Sequence, residues 1–406
     1  MKTVGVIAEY NPFHNGHQYH IEEAKRLSGA EAVVVVMSGN FVQRGTPAIM
    51  PKHLRTEAAI KAGASLVIEL PVCYATGTAE QFAHGAISLL HKLGCVDFLC
   101  FGSECGDLKA MQKIADILCD EPKAYKELLQ ASLRQGLSFP VARSNAIKEL
   151  YPDEAFASIL EQPNNILGIE YLKALKRLKS SMIPLTVSRR VSEYHCEELQ
   201  ENYSSATAIR AALQNKEMNT LKSQVPASSI SILQETYEKR YPMYANDFSL
   251  LLKYRLLKEA ENQAKESLTE YADVSEELAN RIRKQLNQYE NYEQFCELLK
   301  TKELTYTRIS RALLHILLEI KKVDLAEISY ARLLGFKKQD AGLLTEIKNS
   351  SSIPLISKLT ITDELSEPDI QMLNRNIQVS NLYESVIADK FKTSFINEYE
   401  HPIVRI

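Results

Sequence analysis

The stretch GVIAEYNPFHNGHQYH, Gly5 to His20, decides how the rest of the chain is read. It opens inside an apolar run, Val4 to Ala8, of the kind that forms a buried strand. The run stops at Asn11-Pro12, a turn signal, and delivers His14, Asn15, Gly16 and His17 to a helix expected from about His17 to Leu27. A helix start offers unpaired N–H groups and the positive end of a dipole. Gly16 lets the backbone come close to an anion, and two imidazoles three residues apart share one face of the first turn. In outline this is a phosphate site, where an imidazolium would offset charge on a phosphoryl oxygen as a bond to it breaks. The competing reading is a chance His-x-Gly-His whose histidines are surface or capping residues. The order strand, turn, motif, helix, at the head of an alternating α/β pattern, favours the phosphate site.

A chain of 406 residues with 45% apolar and 24% charged residues has core material for two or three globular domains, which excludes disorder as the default. A net charge of −3 does not advertise a nucleic-acid binder, so an RNA partner would need a local basic face. The seven cysteines have no paired metal spacing: Cys95, Cys100 and Cys105 recur at five-residue intervals, and no Cys-x-x-Cys occurs. They read as reduced thiols of a cytoplasmic protein, and no residue identifies itself as a metal ligand. No apolar run approaches the ~18 residues of a membrane span, and no signal peptide precedes the first strand.

Strand and helix signals alternate over the first 115 or so residues. Ala32 to Met37 is a continuous β-branched run that ends at Ser38-Gly39-Asn40, a strand buried on both faces with a functional loop after it. Lys52 to Ala64 reads as helix, Leu66 to Leu70 as strand, Gly77 to Leu93 as helix, and Val96 to Phe101 as a fourth strand running into Gly102-Ser103-Glu104. Such spacing predicts a Rossmann-like parallel sheet with helices on both faces and a ligand site outside the carboxyl ends of its strands. Residues from about 107 to 160 read as a helical insertion. Pro163 to Leu178 reads as helix, and Pro184 to Val187 as a last short strand followed by Arg189-Arg190. These arginines are either a solvated pair or phosphate ligands. Ser204 and Ser205 would cap a helix that carries Thr207 and Arg210, which makes a second candidate phosphate clamp.

His14-Asn15-Gly16-His17 resembles the His-x-Gly-His motif of the nucleotidylyltransferase superfamily, and Ser204 to Arg210 its Ser-Ser-Thr-x-Ile-Arg motif. The strings IAEYNPFHNGH, MSGNFVQRG, IELPV, FGSE, PNNILGIEYLKAL and SSATAIR, in that order, are similar to the bacterial tRNA(Met) cytidine acetate ligase family. The resemblance implies activation of acetate by ATP as acetyl-adenylate, with release of pyrophosphate. Acetylation of N4 of the wobble cytidine of elongator tRNA(Met) then yields AMP. It implies ATP as substrate with Mg²⁺, catalytic roles for His14 and His17, and a nucleotide pocket walled by Ile7, Ala8, Glu9, Tyr10, Asn11, Pro12, Phe13, His14, Asn15, Gly16, His17, Gln18, Tyr19 and His20. Gly102, Asn165, Arg189 and Arg190 complete the implied set, with Ser205, Thr207 and Arg210 as further candidates. An acetate pocket is sought around Gly39, Asn40 and Gln43-Arg44-Gly45.

From about residue 216 onward the chain reads as a mainly α-helical domain, with a strand only at Pro354 to Thr362, and as the tRNA-binding part. Its basic clusters are Arg281 to Lys284, Thr307 to Arg311, and Lys337-Lys338. Each could be an ordinary solvated surface; together they make a phosphate-tracking face. No stable protein partner and no membrane are implied. Two other classes remain: a cofactor-type adenylyltransferase, which would not need some 190 further residues, and a non-catalytic tRNA-binding protein.

Overall fold

The computed structural model describes residues 1–137, 139–152, 156–188, 205–217, 221–261, 268–360 and 363–406. At its centre is one sheet built on β1 (Thr3–Ala8), β2 (Ala32–Ser38), β5 (Leu66–Leu70), β6 (Phe98–Ser103) and β7 (Ile183–Ser188), all parallel. Two-residue strands β3 (Phe41–Val42) and β4 (Thr46–Pro47) form a hairpin in the loop after β2. The spatial order β5-β2-β1-β6-β7 reverses direction at β1 and β6. The crevice outside their carboxyl ends is therefore the switch point at which sheets of this kind bind ligands.

β2 shows why the sheet forms. Val33, Val35 and Met37 enter one core and Val34 and Val36 the other, so each face is sealed by helices. Helix α1 (Asn15–Ser28) follows β1, and α2 (Lys52–Lys61) follows the hairpin. The helix expected over 77–93 is observed as Ala79–Lys92, starting where Thr78 caps it in reciprocal bonds with Gln81, and a separate short helix, Val72–Ala75, precedes it. The segment from 107 to 160 is helical as expected, and its first helix, Leu108–Asp120, packs on the helix Pro163–Arg177.

Besides the two-residue strands β3 and β4, strands late in the chain have no counterpart in the sequence reading. β8 (Ala331–Phe336) pairs antiparallel with β5, carries β9 (Leu355–Ile356) and pairs with β10 (Val404–Arg405), so the later part of the chain extends the same sheet. The strand expected at Pro354 to Thr362 is confined to β9 among the described residues. The remainder there is helical, as the periodicity indicates, and ends in the 25-residue helix Glu367–Phe391. The hairpin loop is pressed onto this part. Gly45 has φ +78°, and its carbonyl accepts bonds from Ser310 Oγ (2.8 Å) and Tyr292 Oη (3.3 Å). Among the described residues no helix is long and apolar enough to cross a membrane, and the six cysteines are all free thiols; Cys196 lies outside them.

Candidate active site

Ile7 and Ala8 close β1, and Glu9 to Phe13 carry the chain across to α1. Tyr10 turns it in the left-handed region at φ +50°, conformational strain of about 1–3 kcal/mol of the kind stored at functional sites. Tyr10 is buried, its hydroxyl has no protein partner, and burial pushes its pKa well up. Asn11 Oδ1 accepts from Ile49 N–H at 2.7 Å, which pins the turn to the loop after β2. The Arg210 guanidinium donates to Asn11 O at 2.9 Å and to Thr207 Oγ1 at 3.0 Å. Ser205 caps the helix Ala206–Gln214, accepting from Ala208 N–H. The two sequence-distant motifs are thus joined by Arg210.

Helix α1 begins earlier than the spacing suggests, with His14 as its N-cap. His14 Nδ1 accepts from Gly16 N–H (3.1 Å), and His17 Nδ1 accepts from His14 N–H (3.2 Å). This is a capping box made of two imidazoles. It fixes their tautomer: a nitrogen that accepts carries no proton, so each ring in its neutral form keeps its proton on Nε2. The rings stack at 3.7 Å with 27° between planes, an arrangement that two imidazolium charges would oppose. In their neutral forms the two rings therefore act as donors through Nε2–H. Capping and a phosphate site are not alternatives here, since the cap is what orients the donors. A Cβ on Gly16 would come within 3.0 Å of His14 Cε1, crowding that ring. Tyr10 and Phe13 pack edge-on and tilted against His17, at 4.9 and 5.6 Å between centroids.

The remaining predicted residues are distributed as follows. Asn15 Nδ2 bonds Ser223 O at 2.7 Å, Gln18 bonds Glu22, Tyr19 is exposed, and His20 Nε2 lies 3.7 Å from Cys100 Sγ. Gly102 is the fifth residue of β6, paired with Val187, not in a loop after it. Asn165 is buried, and its Oδ1 accepts from Glu104 N–H (2.9 Å) and Cys105 N–H (3.1 Å). Glu104 returns both carboxylate oxygens to Asn164 and Asn165. Asn165 thus shapes the loop beyond β6 with its oxygen and keeps Nδ2 for another partner. Arg189, Arg190 and Ser204 lie outside the described residues.

Charged side chains that the sequence reading misses lie beneath the rim. Arg55 is buried and bonded to backbone carbonyls. Lys52 is fully buried and contacts Glu69 (2.7 Å) and Glu398 (2.9 Å). The available signal is helical: Lys52, Arg55, Thr56, Ala59 and Ile60 form one stripe, so the two cations share the face of apolar residues. A nitrogen of each of His53 and His401 and an oxygen of Glu398 lie within 4.8 Å of one another. Glu69, Glu384 and Glu398 are already matched there by Lys52, Arg240 and Arg332. A divalent ion would add two unbalanced charges to a buried site, so this is an ion-pair cluster.

Among the basic clusters, Arg281 caps the carbonyls of Leu298 and Leu299, and Arg311 pairs with Asp273 at 2.8 Å. Arg308 is half-buried, and no carboxylate among the described residues pairs with it.

A family model described as HIGH Nucleotidyl Transferase matches residues 1–398. The chain is 42% identical over 410 residues to a Caldanaerobacter subterraneus subsp. tengcongensis protein named tRNA(Met) cytidine acetate ligase, with 100% of each chain covered. A protein of the same name from Acetivibrio thermocellus is 43% identical over 396 residues, with 94% of each covered. Thermotoga maritima TmcAL bound with alpha-thio ATP is similar in structure at a TM-score of 0.90 and 31% identity, and its apo form at 0.92 and 30%; all of each chain is covered in both.

Proposed function

The chain belongs to the tRNA(Met) cytidine acetate ligase family of HIGH nucleotidyl transferases and is a ligase. From that premise we propose that it joins acetate to N4 of the wobble cytidine of elongator tRNA(Met) at the expense of ATP. In the first step a carboxylate oxygen of acetate forms a bond to the α-phosphorus as the bond to pyrophosphate breaks, giving acetyl-adenylate. In the second the cytidine amine forms a bond to the acetyl carbon, a proton leaves the nitrogen, and AMP departs.

The observation that carries this reading is the reciprocal cap of His14 and His17, which gives both rings an Nε2–H donor at the carboxyl end of β1. The attacking carboxylate is already anionic, so the first step needs no general base. It needs alignment and neutral donors fixed where charge accumulates on phosphate oxygens. The N–H groups of the first turn of α1 are already taken by Gln224 O and by His14, so the groups that suit a nucleotide triphosphate are the His14 and His17 rings, Arg210 and the Asn165 amide, with Ile7 to His20 as its wall and Gly102 close to it. Arg189 and Arg190 remain proposed phosphate ligands. Mg²⁺ keeps most of its waters and takes one or two carboxylates besides phosphate. Glu104 has both oxygens engaged, whereas Glu9 Oε1 accepts Gln43 N–H (2.9 Å) and Glu9 Oε2 is left for a hydrated ion. When bound, the ion would neutralise charge on the departing pyrophosphate.

Acetate-dependent exchange of labelled pyrophosphate into ATP, without tRNA, tests the first step. Exchange in the wild type that falls by about 10²–10³ in His17→Ala supports it. Exchange that needs another small acceptor in place of acetate overturns it.

A further inference from the structure

The β1–β2 ladder ends at the pair Ala8 and Met37, and the two chains then separate to form the crevice. Buried carbonyls just beyond a ladder have lost their strand partners, and leaving them unpaired is costly. Arg55, 1% exposed, takes that place. Its Nη1 donates to Glu9 O (2.5 Å) and Ser38 O (3.1 Å), its Nη2 to Gly39 O, and its Nε to Met50 O (2.9 Å). Glu9 belongs to the turn that leads to His14, Ser38 ends β2 beyond its last pair with β1, Gly39 opens the loop after β2, and Met50 closes that loop. One planar fork thus spans both walls of the crevice. Burial lowers its pKa to about 10, so it stays charged at neutral pH.

We infer that Arg55 is a positioning residue for adenylate formation: it fixes the separation of the His14–His17 turn from the loop after β2 without touching ATP. The inference rests on the proposed function for the reaction it serves. A neutral or shorter side chain would leave carbonyls of both loops unpaired and free the two walls to shift. The cation also sits among strand-end carbonyls, whose negative ends would otherwise face the phosphates. Lysine cannot replace it, because three donors on a flexible stem do not reproduce a rigid fork that spans four acceptors.

The test compares the wild type with Arg55→Lys and Arg55→Met by ATP dissociation constant, acetate-dependent pyrophosphate exchange, and hydrogen–deuterium exchange of peptides covering 9–13 and 38–50. For Arg55→Lys the expected result is ATP affinity within about twofold of the wild type and an exchange kcat lowered about a hundredfold. Faster deuteration should be confined to those two segments. Arg55→Met should behave likewise. An unchanged exchange rate in a folded Arg55→Lys overturns the inference. So does a loss of ATP affinity in proportion to rate, which would make Arg55 a ligand. Failure of both variants to fold also overturns it, by making the residue a determinant of folding alone. If the wild type itself lacks acetate-dependent exchange, the proposed reaction fails, and the positioning role is then decided by deuteration of the two segments.

Discussion

Gly45 is where the loop beside the site is clamped to the helix Tyr306–Leu317, and Gly45→Ala should break that clamp. Two costs combine. The residue has φ +78°, which a side chain tolerates at a cost of about 1–2 kcal/mol. A Cβ there would stand 2.3 Å from the backbone nitrogen of Arg311, well inside the 3.0 Å that real Cβ contacts respect, and backbone cannot move aside as a side chain can. Parting the two segments sacrifices the bonds from Ser310 Oγ and Tyr292 Oη to Gly45 O, each about 1 kcal/mol. The sum is about 3–4 kcal/mol. Gly29→Ala is the control: φ is +62° but nothing lies within 4 Å of the new Cβ, so only the conformational cost of about 1–2 kcal/mol applies. Urea unfolding of the two variants beside the wild type measures the difference. Equal losses for Gly29→Ala and Gly45→Ala would refute the close-approach reasoning.

Three further outcomes follow from the same contacts. Arg308→Ala should weaken tRNA binding and reduce the slope of log affinity against log salt by about 1, with ATP binding kept. Arg311→Ala, which unpairs Asp273, should instead lower the unfolding midpoint, and a salt-slope change confined to Arg311 would reverse that assignment. His53 titrates at about 4 instead of 6.5 because burial outweighs its hydrogen bond to Glu398. As pH falls from 6.5 towards 4 the unfolded chain takes up a proton that the folded one refuses, so stability declines through that window, by up to about 3 kcal/mol. His53→Gln should flatten the decline, as read by denaturant midpoints across pH; an unaltered slope would count against it. His14→Ala should cost about 1 kcal/mol of stability through the lost cap, besides activity, as read by urea unfolding; an unchanged midpoint would count against the cap.

How far the sequence reaches depends on where each residue finds its partner. Val33 to Met37 announces a doubly buried strand because both faces are written in one run. The His14 cap is equally local, and its partners, Gly16 and His17, lie within three residues. β8 is hidden because its pairing partner β5 is far upstream and because Arg332 and Gly335 interrupt its apolar pattern. Arg332 is in fact buried, matched by Glu69 and Glu398 from two distant segments. Arg55 and Lys52 are illegible for the same reason: a cation in a helix reads as surface until the carbonyls and carboxylates that receive it are in place. Arg281 and Arg311 show the converse, since the features that suggest RNA contact cannot reveal that Leu298, Leu299 and Asp273 already occupy them.

The central claim is tested most directly by incubating the protein with radiolabelled acetate, ATP, Mg²⁺ and bacterial tRNA, omitting each in turn, and analysing the nucleosides of the recovered RNA. Label is expected in N4-acetylcytidine of elongator tRNA(Met) only when ATP is present, with AMP and pyrophosphate as co-products and loss of label in His17→Ala. Label absent from RNA while an adenylylated small molecule accumulates would contradict it.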